Sequence, residues 1–383
     1  MLTRRFVALL VVSAVVLLGV RLTVAAPEAC EDISADTARG AAESAADWIR
    51  DNQQDDGSYT YQVDEDGTDL GDYNVTRHAG VTLSLYQSAR ALGDDSYADA
   101  ADLGLAWAED RLLERDGWIA VRDGDIVGLG ASALMLAALA ERRLLTGSDE
   151  YDDLMRGLGD FLVSMQRDNG DFYVYYYVSS GKPDEDAISQ YFAGEALWAL
   201  ARLHNALPDE KYRGSAERAA HFIAVERDDT DFVPVPPLND HWASYGFAEM
   251  SDWPIGDDQA DYARDLYGRF HLLIRWEAMK DSGRIGGIVH GPERQAAALG
   301  TWVEGQAALT RLSRVDERVE EIEAEALAST RCGAAVLVER QAESDAPAVD
   351  GAWFTDGVSR MDDQQHAISS LLALAELLDT RDG

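Results

Sequence analysis

The fold of this chain is decided by the segment QYFAGEALWALARL, which spans residues 190–203. Its apolar residues lie on nearly all sides of a helix, which is the pattern of a helix buried in a protein core. The same phrase, a small residue that opens an apolar helix, recurs along the chain, and internal repeats of this length indicate a repeat architecture. Its six copies have equivalent positions at Gly80, Gly130, Gly194, Gly246, Gly305 and Ala367.

Most copies lead into a second helical stretch and then a turn-rich segment. The second stretch is clearest at residues 96–113 and 150–166. The pairs Asp116-Gly117 and Asn169-Gly170 then predict tight turns or short hairpins. Residues 173–177, read as YVYYY, alternate in the manner of a packed β-strand. The repeating unit is therefore an inner helix, an outer helix and a turn.

Six helical hairpins of this kind bury their apolar faces only when they stack on one another, and six close well into a ring. The sequence thus predicts an all-α fold, an (α/α)6 toroid with short β-turn segments at one rim. The chain resembles the six-hairpin glycosidase-like superfamily of α/α toroids, which includes glycoside hydrolases, polysaccharide lyases, sugar epimerases and, more distantly, terpene cyclases. Residues 305–312, GQAALTRL, also look like a phrase of uronyl C5-epimerases. The resemblance implies this fold over about residues 35–383 and a carbohydrate-active enzyme, but no single activity.

The chain is strongly acidic. It has 383 residues, 70 of them acidic and 33 basic, for a net charge of −37, and only three of the basic residues are lysines. This balance argues against nucleic acid as a partner, since that requires clustered cations. The hydrophobic fraction of 46% is enough for a large core. The composition resembles that of haloarchaeal proteins, for which molar salt shortens the Debye length to about 3 Å and screens self-repulsion. An ordinary acidic protein is the alternative.

The N-terminus predicts the compartment. Arg4 and Arg5 precede an uncharged apolar run, residues 6–20, and we expect residues 1–26 to be a signal peptide or an uncleaved membrane anchor. Either segment exports residues 27–383, a single toroid domain, which would be secreted or held at the extracellular face of the membrane. Cys30 and Cys332 lie near the two ends of that domain, which are neighbours in a closed ring. An intramolecular disulfide is expected, with two free thiols as the alternative.

In a toroid of this kind the starts of the inner helices converge at one mouth, where helix N–H groups are also unpaired. The side chains at these starts suit a glycan, because carboxylates supply acid and base, aromatic rings stack on sugars, and arginines bind acidic groups. The candidate catalytic residues are Glu195, Asp362, Asp363, Glu304, His241 and Tyr245. The candidate substrate-binding residues are Arg77, His78, Tyr191, Trp242, Glu249, Trp302, Arg360 and His366.

Each candidate also has a purely structural interpretation. The helix dipole favours a carboxylate such as Glu195 at a helix start. Asp362 or Asp363 can serve as a helix cap. Histidine and tryptophan often pack in a core. The sequence has no His-Glu-x-x-His motif and no closely spaced cysteine pair, so no metal and no cofactor are predicted.

Three functions follow. The first is an exported glycoside hydrolase acting on a poly- or oligosaccharide, with Glu195 and either Asp362 or Asp363 as the two carboxylates and Glu304 in reserve. The second is a uronate lyase or C5-epimerase, in which His241 or Tyr245 removes a proton next to a carboxylate that Arg77 or Arg360 neutralises. The third is a non-catalytic glycan-binding scaffold, tethered to the membrane by the N-terminal segment. It is favoured if arginines pair with the carboxylates at the mouth and leave no cleft.

Overall fold

The computed structural model describes residues 2–23, 30–230, 239–253, 255–280 and 293–380. Helices dominate these ranges. In chain order the longer α-helices are α1 (Leu2–Thr23), α2 (Ala35–Asp51), α3 (Val75–Leu92), α4 (Asp95–Glu109), α5 (Leu129–Thr146), α6 (Asp152–Ser164), α7 (Phe192–Ala206), α8 (Glu210–His221), α9 (His241–Glu249), α10 (Asp257–Ala278), α11 (Ala296–Ser313), α12 (Glu323–Arg340) and α13 (Met361–Asp379), with short helical segments at Phe222–Glu226, Arg227–Thr230 and Glu317–Ile322.

The helices form two concentric rings. The inner ring consists of α3, α5, α7, α9, α11 and α13, each packed against the next, and α13 packs against α3 to close it. The outer helices α4, α6, α8 and α12 each pack on the inner helix that precedes them, whereas α10 packs mainly on α11, the inner helix that follows it. Helix α2, from the start of the domain, packs on α13 and completes the sixth hairpin. The predicted (α/α)6 toroid is therefore confirmed.

Burial explains why inner and outer helices differ in sequence. Every residue of α5 from Leu129 to Glu141 is buried, because this helix has neighbours on all sides. Helix α2 instead buries one face, formed mainly by alanines from Ala38 to Ala46, and exposes the other. Small residues let the two rings approach closely, since packing in protein interiors is dense.

The turn segments form more β-structure than expected. Strands β2 (Leu112–Arg115) and β3 (Trp118–Asp123) make a hairpin whose turn residues, Asp116 and Gly117, both have positive φ (52° and 85°). This is the backbone of a type I′ turn, which the Asp-Gly pair predicts. Strands β4 (Ile126–Gly128), β5 (Tyr175–Tyr177) and β6 (Lys182–Pro183) extend it to a five-stranded sheet in the described ranges.

Two strand pairings lie at the rim of the ring. The expected strand in residues 173–177 is confirmed at β5, and it pairs with β4 from the previous repeat. Strands β1 (Gln62–Asp64) and β7 (Val358–Arg360) pair antiparallel. They join the loops that lead into α3 and α13, the first and last inner helices. Pairing between repeats is a long-range contact, which a local alternation pattern cannot predict.

The two cysteines form the expected disulfide. Cys30 is bonded to Cys332 of α12, with the Cα atoms 5.1 Å apart, so the start of the domain is fixed to its last outer helix. The predicted boundary at residues 26 and 27 lies outside the described residues. The apolar side chains of α1 from Phe6 to Val20 are exposed. Across the described parts of the chain, we find no helix with the length and apolar character needed to cross a membrane.

Candidate functional site

The N-terminal ends of the inner helices surround a cavity of about 810 Å³, which we call the front cavity. This volume lies within the range typical of small-molecule sites. Many of the candidate residues line it, as the convergence of helix starts predicts. They are Arg77, Tyr191, Glu195, His241, Trp242, Trp302, Arg360, Asp362 and His366.

Tyr245 and Glu249 lie elsewhere. They line a second cavity of about 760 Å³, the rear cavity, which the C-terminal halves of the inner helices surround. Their expected place at the mouth is wrong because helix α9 begins at His241, and each residue advances about 1.5 Å along the axis. Glu249, the last residue of α9, is thus about 12 Å deeper than His241.

His78 also departs from expectation, because its ring points outward to α4 instead of into the front cavity. One ring nitrogen is 2.7 Å from the hydroxyl of Tyr73 and the other is 2.8 Å from the carbonyl oxygen of Gly104. The ring stacks on Trp107, with centroids 4.1 Å apart. Burial lowers the pKa of His78 to about 4, so it is a neutral, hydrogen-bonded core residue.

The two adjacent aspartates have separate roles. Asp363 is a helix cap, because its carboxylate accepts hydrogen bonds from the backbone N–H of Arg360 (3.1 Å) and of Ala297 (2.9 Å). Burial and the neighbouring Asp362 raise the pKa of Asp363 to about 6. Asp362 instead faces the front cavity.

Asp362 is held by both candidate arginines. Arg77 Nε lies 3.1 Å from its Oδ2 atom, and Arg360 Nε lies 3.4 Å from its Oδ1 atom. Arg77 also donates to the hydroxyl of Tyr61, and Arg360 donates to Gln295 (2.8 Å). These two guanidinium groups are therefore already engaged within the protein.

Glu195 lies in the first turn of α7, lines the front cavity and is only 5% exposed. Its Oε2 atom has no hydrogen-bond partner among the described residues. Burial, with a smaller contribution from the charge of Asp240, raises the pKa of Glu195 to about 8. Gly130 of α5 provides the space for this carboxyl group, since a Cβ atom there would collide with it.

A buried ion pair fixes the start of α9. Asp240 caps the helix by accepting from the backbone N–H of Ala243 (3.1 Å), and Arg227 donates to it at 2.6 Å. Arg227 also donates to the hydroxyl of Tyr262, at 2.6 Å. The sequence analysis did not identify Asp240 or Arg227. An aspartate before a helix start is a detectable cap signal, whereas nothing local marks Arg227.

Three candidate residues meet, one from each of the successive inner helices α9, α11 and α13. Glu304 is fully buried, and its Oε2 atom lies 2.8 Å from His366 Nδ1 and 3.6 Å from His241 Nε2. The two imidazole rings are 5.3 Å apart and nearly perpendicular, at 82°. Neither ring nitrogen of His241 has a hydrogen-bond partner within the described part of the chain.

The pKa values of the two histidines are displaced in opposite directions. Burial, and then the nearby His366, holds the pKa of His241 well below its usual value, so His241 is neutral. Burial also opposes the charged form of His366, but the Glu304 carboxylate outweighs it, and the pKa of His366 is raised. Burial raises the pKa of Glu304, which His366 partly offsets. The shifts therefore favour the neutral form of His241 and the charged form of His366, and the two rings lie side by side.

The same three residues are the candidate metal ligands of the described ranges, since one ligand atom from each lies within 4.8 Å of the others. A zinc ion would bind its nitrogen and oxygen ligands at about 2.0–2.2 Å, at separate corners of a tetrahedron. The 2.8 Å contact between His366 and Glu304 is instead a direct hydrogen bond. The arrangement fits an acid–base cluster better than a ligand set.

Comparisons with known proteins support the fold. No model of a protein family matches the sequence, and no curated protein matches it. Among solved structures, cellobiose 2-epimerase from Spirochaeta thermophila is 12% identical with a TM-score of 0.62, over 91% of this chain and 97% of that chain. A family 76 α-mannanase from Bacteroides thetaiotaomicron is 10% identical with a TM-score of 0.63, over 90% and 97%.

A third structure is an inactive variant of an α-1,6-mannanase from Salegentibacter in complex with α-1,6-mannotetrose. It is 13% identical with a TM-score of 0.57, over 89% of this chain and 99% of that one. Similarity at such low identity establishes architecture and not activity. The chain therefore has the (α/α)6 toroid fold of the six-hairpin glycosidase-like enzymes.

Proposed function

We propose that this protein is a carbohydrate-active enzyme that epimerises a sugar bound in the front cavity. One observation carries the proposal. His241 and His366 face each other across Glu304, and their pKa values are displaced in opposite directions. Pairs of titratable groups with such divergent pKa values are typical of acid–base catalysis.

The chemistry follows from the two protonation states. In an open-chain sugar, the C–H bond next to the carbonyl is acidic enough for neutral His241 to remove its proton, which leaves an enediolate. Protonated His366 then donates a proton to the other face of the same carbon, and the configuration inverts. Proton transfer from positioned groups of this kind contributes about 10²- to 10⁴-fold to a rate. Glu304 stabilises the charged form of His366 and, lying near both rings, offers the path by which the proton returns.

The cavity favours a neutral sugar over a uronate. A uronate requires a cation for its carboxylate, but Arg77 and Arg360 are both engaged by Asp362. Tyr191, Trp242 and Trp302 line the same cavity and offer apolar surface to sugar rings. The solved neighbours include a cellobiose 2-epimerase. We therefore infer a neutral, reducing oligosaccharide as the substrate.

Glycoside hydrolysis is the second candidate, and Glu195 is the observation that favours it. With a pKa of about 8, Glu195 would hold the proton that a general acid needs, while Asp362 would be the second carboxyl group in the same cavity. Family 76 mannanases are among the solved neighbours. Asp362 is already paired with two arginines, however, so it is not free to act as the base.

A non-catalytic scaffold has less support, because the front cavity stays open and Glu195 stays unpaired with any arginine among the described residues.

We further propose export to the cell surface or the medium. The charged and apolar N-terminal segment supports this, and so does the disulfide, because disulfides persist in oxidising compartments.

The function is tested by incubating the full chain, in molar KCl, with neutral and uronate-containing reducing sugars in D2O and following the products by NMR. We expect a new epimer that carries deuterium at the carbon next to the carbonyl. New reducing ends without deuterium would establish a hydrolase instead, and unsaturated ends a lyase. Intact sugars after incubation with a protein shown to be folded by circular dichroism would contradict all three and favour the scaffold.

A further inference from the structure

The histidine mechanism leaves one buried group of the front cavity without a role, the carboxyl group of Glu195. It is almost fully buried, it lines the cavity, and its Oε2 atom has no hydrogen-bond partner in the described ranges. A buried polar atom without a partner costs free energy, and such atoms in native proteins call for an explanation. Oε2 packs against Gly130 of α5, so a ligand in the cavity would meet this carboxyl group at its other oxygen.

The surroundings of Glu195 disfavour its charged form. On the α5 side it meets Gly130, which brings no charge, and on its own helix the neighbours are Tyr191 and Phe192. From the start of α9 it faces Asp240, whose negative charge acts in the same direction as burial. The guanidinium group of Arg227 is bound to Asp240, not to Glu195.

We propose that Glu195, as an uncharged carboxylic acid, donates a hydrogen bond from its carboxyl group to the carbonyl oxygen of the sugar and stabilises the enediolate of the epimerisation. This inference rests on the proposed function. No proton is transferred in this step. The O–H bond of Glu195 stays intact, and its hydrogen bond strengthens as negative charge develops on the sugar oxygen. A neutral acid in an apolar site is a known way to build such a donor.

The test compares two variants of Glu195 in the deuterium assay described above. Glu195→Gln keeps a hydrogen-bond donor of the same size, whereas Glu195→Leu keeps the size and removes the donor. We expect Glu195→Gln to retain epimerisation within about tenfold and Glu195→Leu to lose about 10²- to 10³-fold, the usual cost of one donor to an oxyanion. The matched control is Glu376→Gln, the same substitution at an exposed position of α13, and thermal unfolding checks all variants.

Infrared spectroscopy tests, independently of activity, the protonation state on which this inference depends. The difference spectrum between the wild-type chain and Glu195→Gln at pH 7 should show the carbonyl band of a protonated carboxyl group, and the band should fade above about pH 8. A carboxylate band at pH 7 would overturn the inference even if Glu195→Leu failed to fold.

The outcomes separate this inference from the proposed function. Absence of deuterium exchange in the wild-type chain would contradict epimerisation, and the role of Glu195 would fall with it. Exchange in the wild-type chain, with equal losses in the Gln and Leu variants or no loss in the Leu variant, would overturn this inference alone. Loss of a hydrolytic activity in Glu195→Gln would instead identify Glu195 as a general acid.

Discussion

The Nδ1 atom of His366 lies 2.8 Å from the Oε2 atom of Glu304, and this contact joins the sixth inner helix to the fifth. Glu304 is fully buried, so little solvent screens the interaction. The charge of the Glu304 carboxylate raises the pKa of His366, whereas burial alone would lower it. The proposed acid thus depends on a partner that does not line the front cavity.

Glu304→Gln should therefore lower the pKa of His366, because the amide keeps the shape of the side chain but not its charge. At pH 7 we expect His366 to become neutral and epimerisation to fall by about 100-fold or more. NMR titration of the His366 ring measures the shift, with Glu376→Gln as the control. An unchanged titration would show that Glu304 is itself neutral in the wild-type chain.

Substitution of either histidine alone should leave deuterium exchange with one epimer only, and the two variants should differ in which epimer exchanges. In His241→Asn the base for one epimer is lost, yet the fraction of molecules in which His366 is deprotonated can still remove the proton of the other epimer. We expect deuterium exchange to persist with one epimer only, while net epimerisation falls by about 10²- to 10⁴-fold. His366→Asn should show exchange with the opposite epimer. Loss of exchange with both epimers in either variant would contradict a mechanism with two bases.

Asp362→Asn should change the substrate preference of the front cavity. The substitution removes the charge that engages Arg77 and Arg360, so both guanidinium groups become available to a ligand carboxylate. We expect uronate-containing sugars to bind about tenfold more tightly, measured by calorimetry, with neutral sugars little affected. Complete loss of activity on a neutral glycan, with binding intact, would favour hydrolysis.

Glu195→Gln should alter how stability depends on pH. The pKa of Glu195 is about 8 in the folded protein and near 4.5 in the unfolded chain, so the folded state binds the extra proton between these values. The stability linked to this group is fully present below about pH 4.5 and is lost as pH rises towards 8. Relative to wild type, the variant should gain about 1.4 kcal/mol of unfolding free energy for each pH unit in this window.

That gain is read from urea unfolding at pH 5, 7 and 9 in constant salt, and it should level off above about pH 8. A constant difference between the two proteins across this range would show that Glu195 is ionised in the folded state.

Removal of the disulfide should destabilise the toroid without touching its site. Cys30 and Cys332 are separated by 302 positions, so their bond restricts nearly the whole unfolded chain. Loss of a native disulfide costs about 2–5 kcal/mol. We expect Cys30→Ser to lower the free energy of unfolding by this amount and to leave epimerisation at 25 °C unchanged. Cys332→Ser should match it, and a larger effect of either variant alone would point to a role beyond the bond.

The repeat in the sequence was enough to predict the architecture. Apolar periodicity is a local property of a helix, and it distinguishes α5, which is buried on all sides, from α2, which is buried on one. Position at a helix start is local too, which is why Glu195, His241 and His366 were correctly expected at one mouth. The β4–β5 pairing and the role of Arg227 were missed, since both depend on residues that are distant in sequence.

Only the tertiary structure decided which candidates act together. Asp362 and Asp363 are adjacent, but a rotation of about 100° about the helix axis turns one to the cavity and the other to the backbone of α11. The same limit applies to His78, which faces outward, and to Tyr245, which lies deeper along the axis. The sequence by itself thus determined the ring, its closure and the mouth, because these follow from local periodicity. The acid–base cluster required the packed structure, because burial and charge at His241, Glu304 and His366 arise from three helices that meet only when the inner helices pack together.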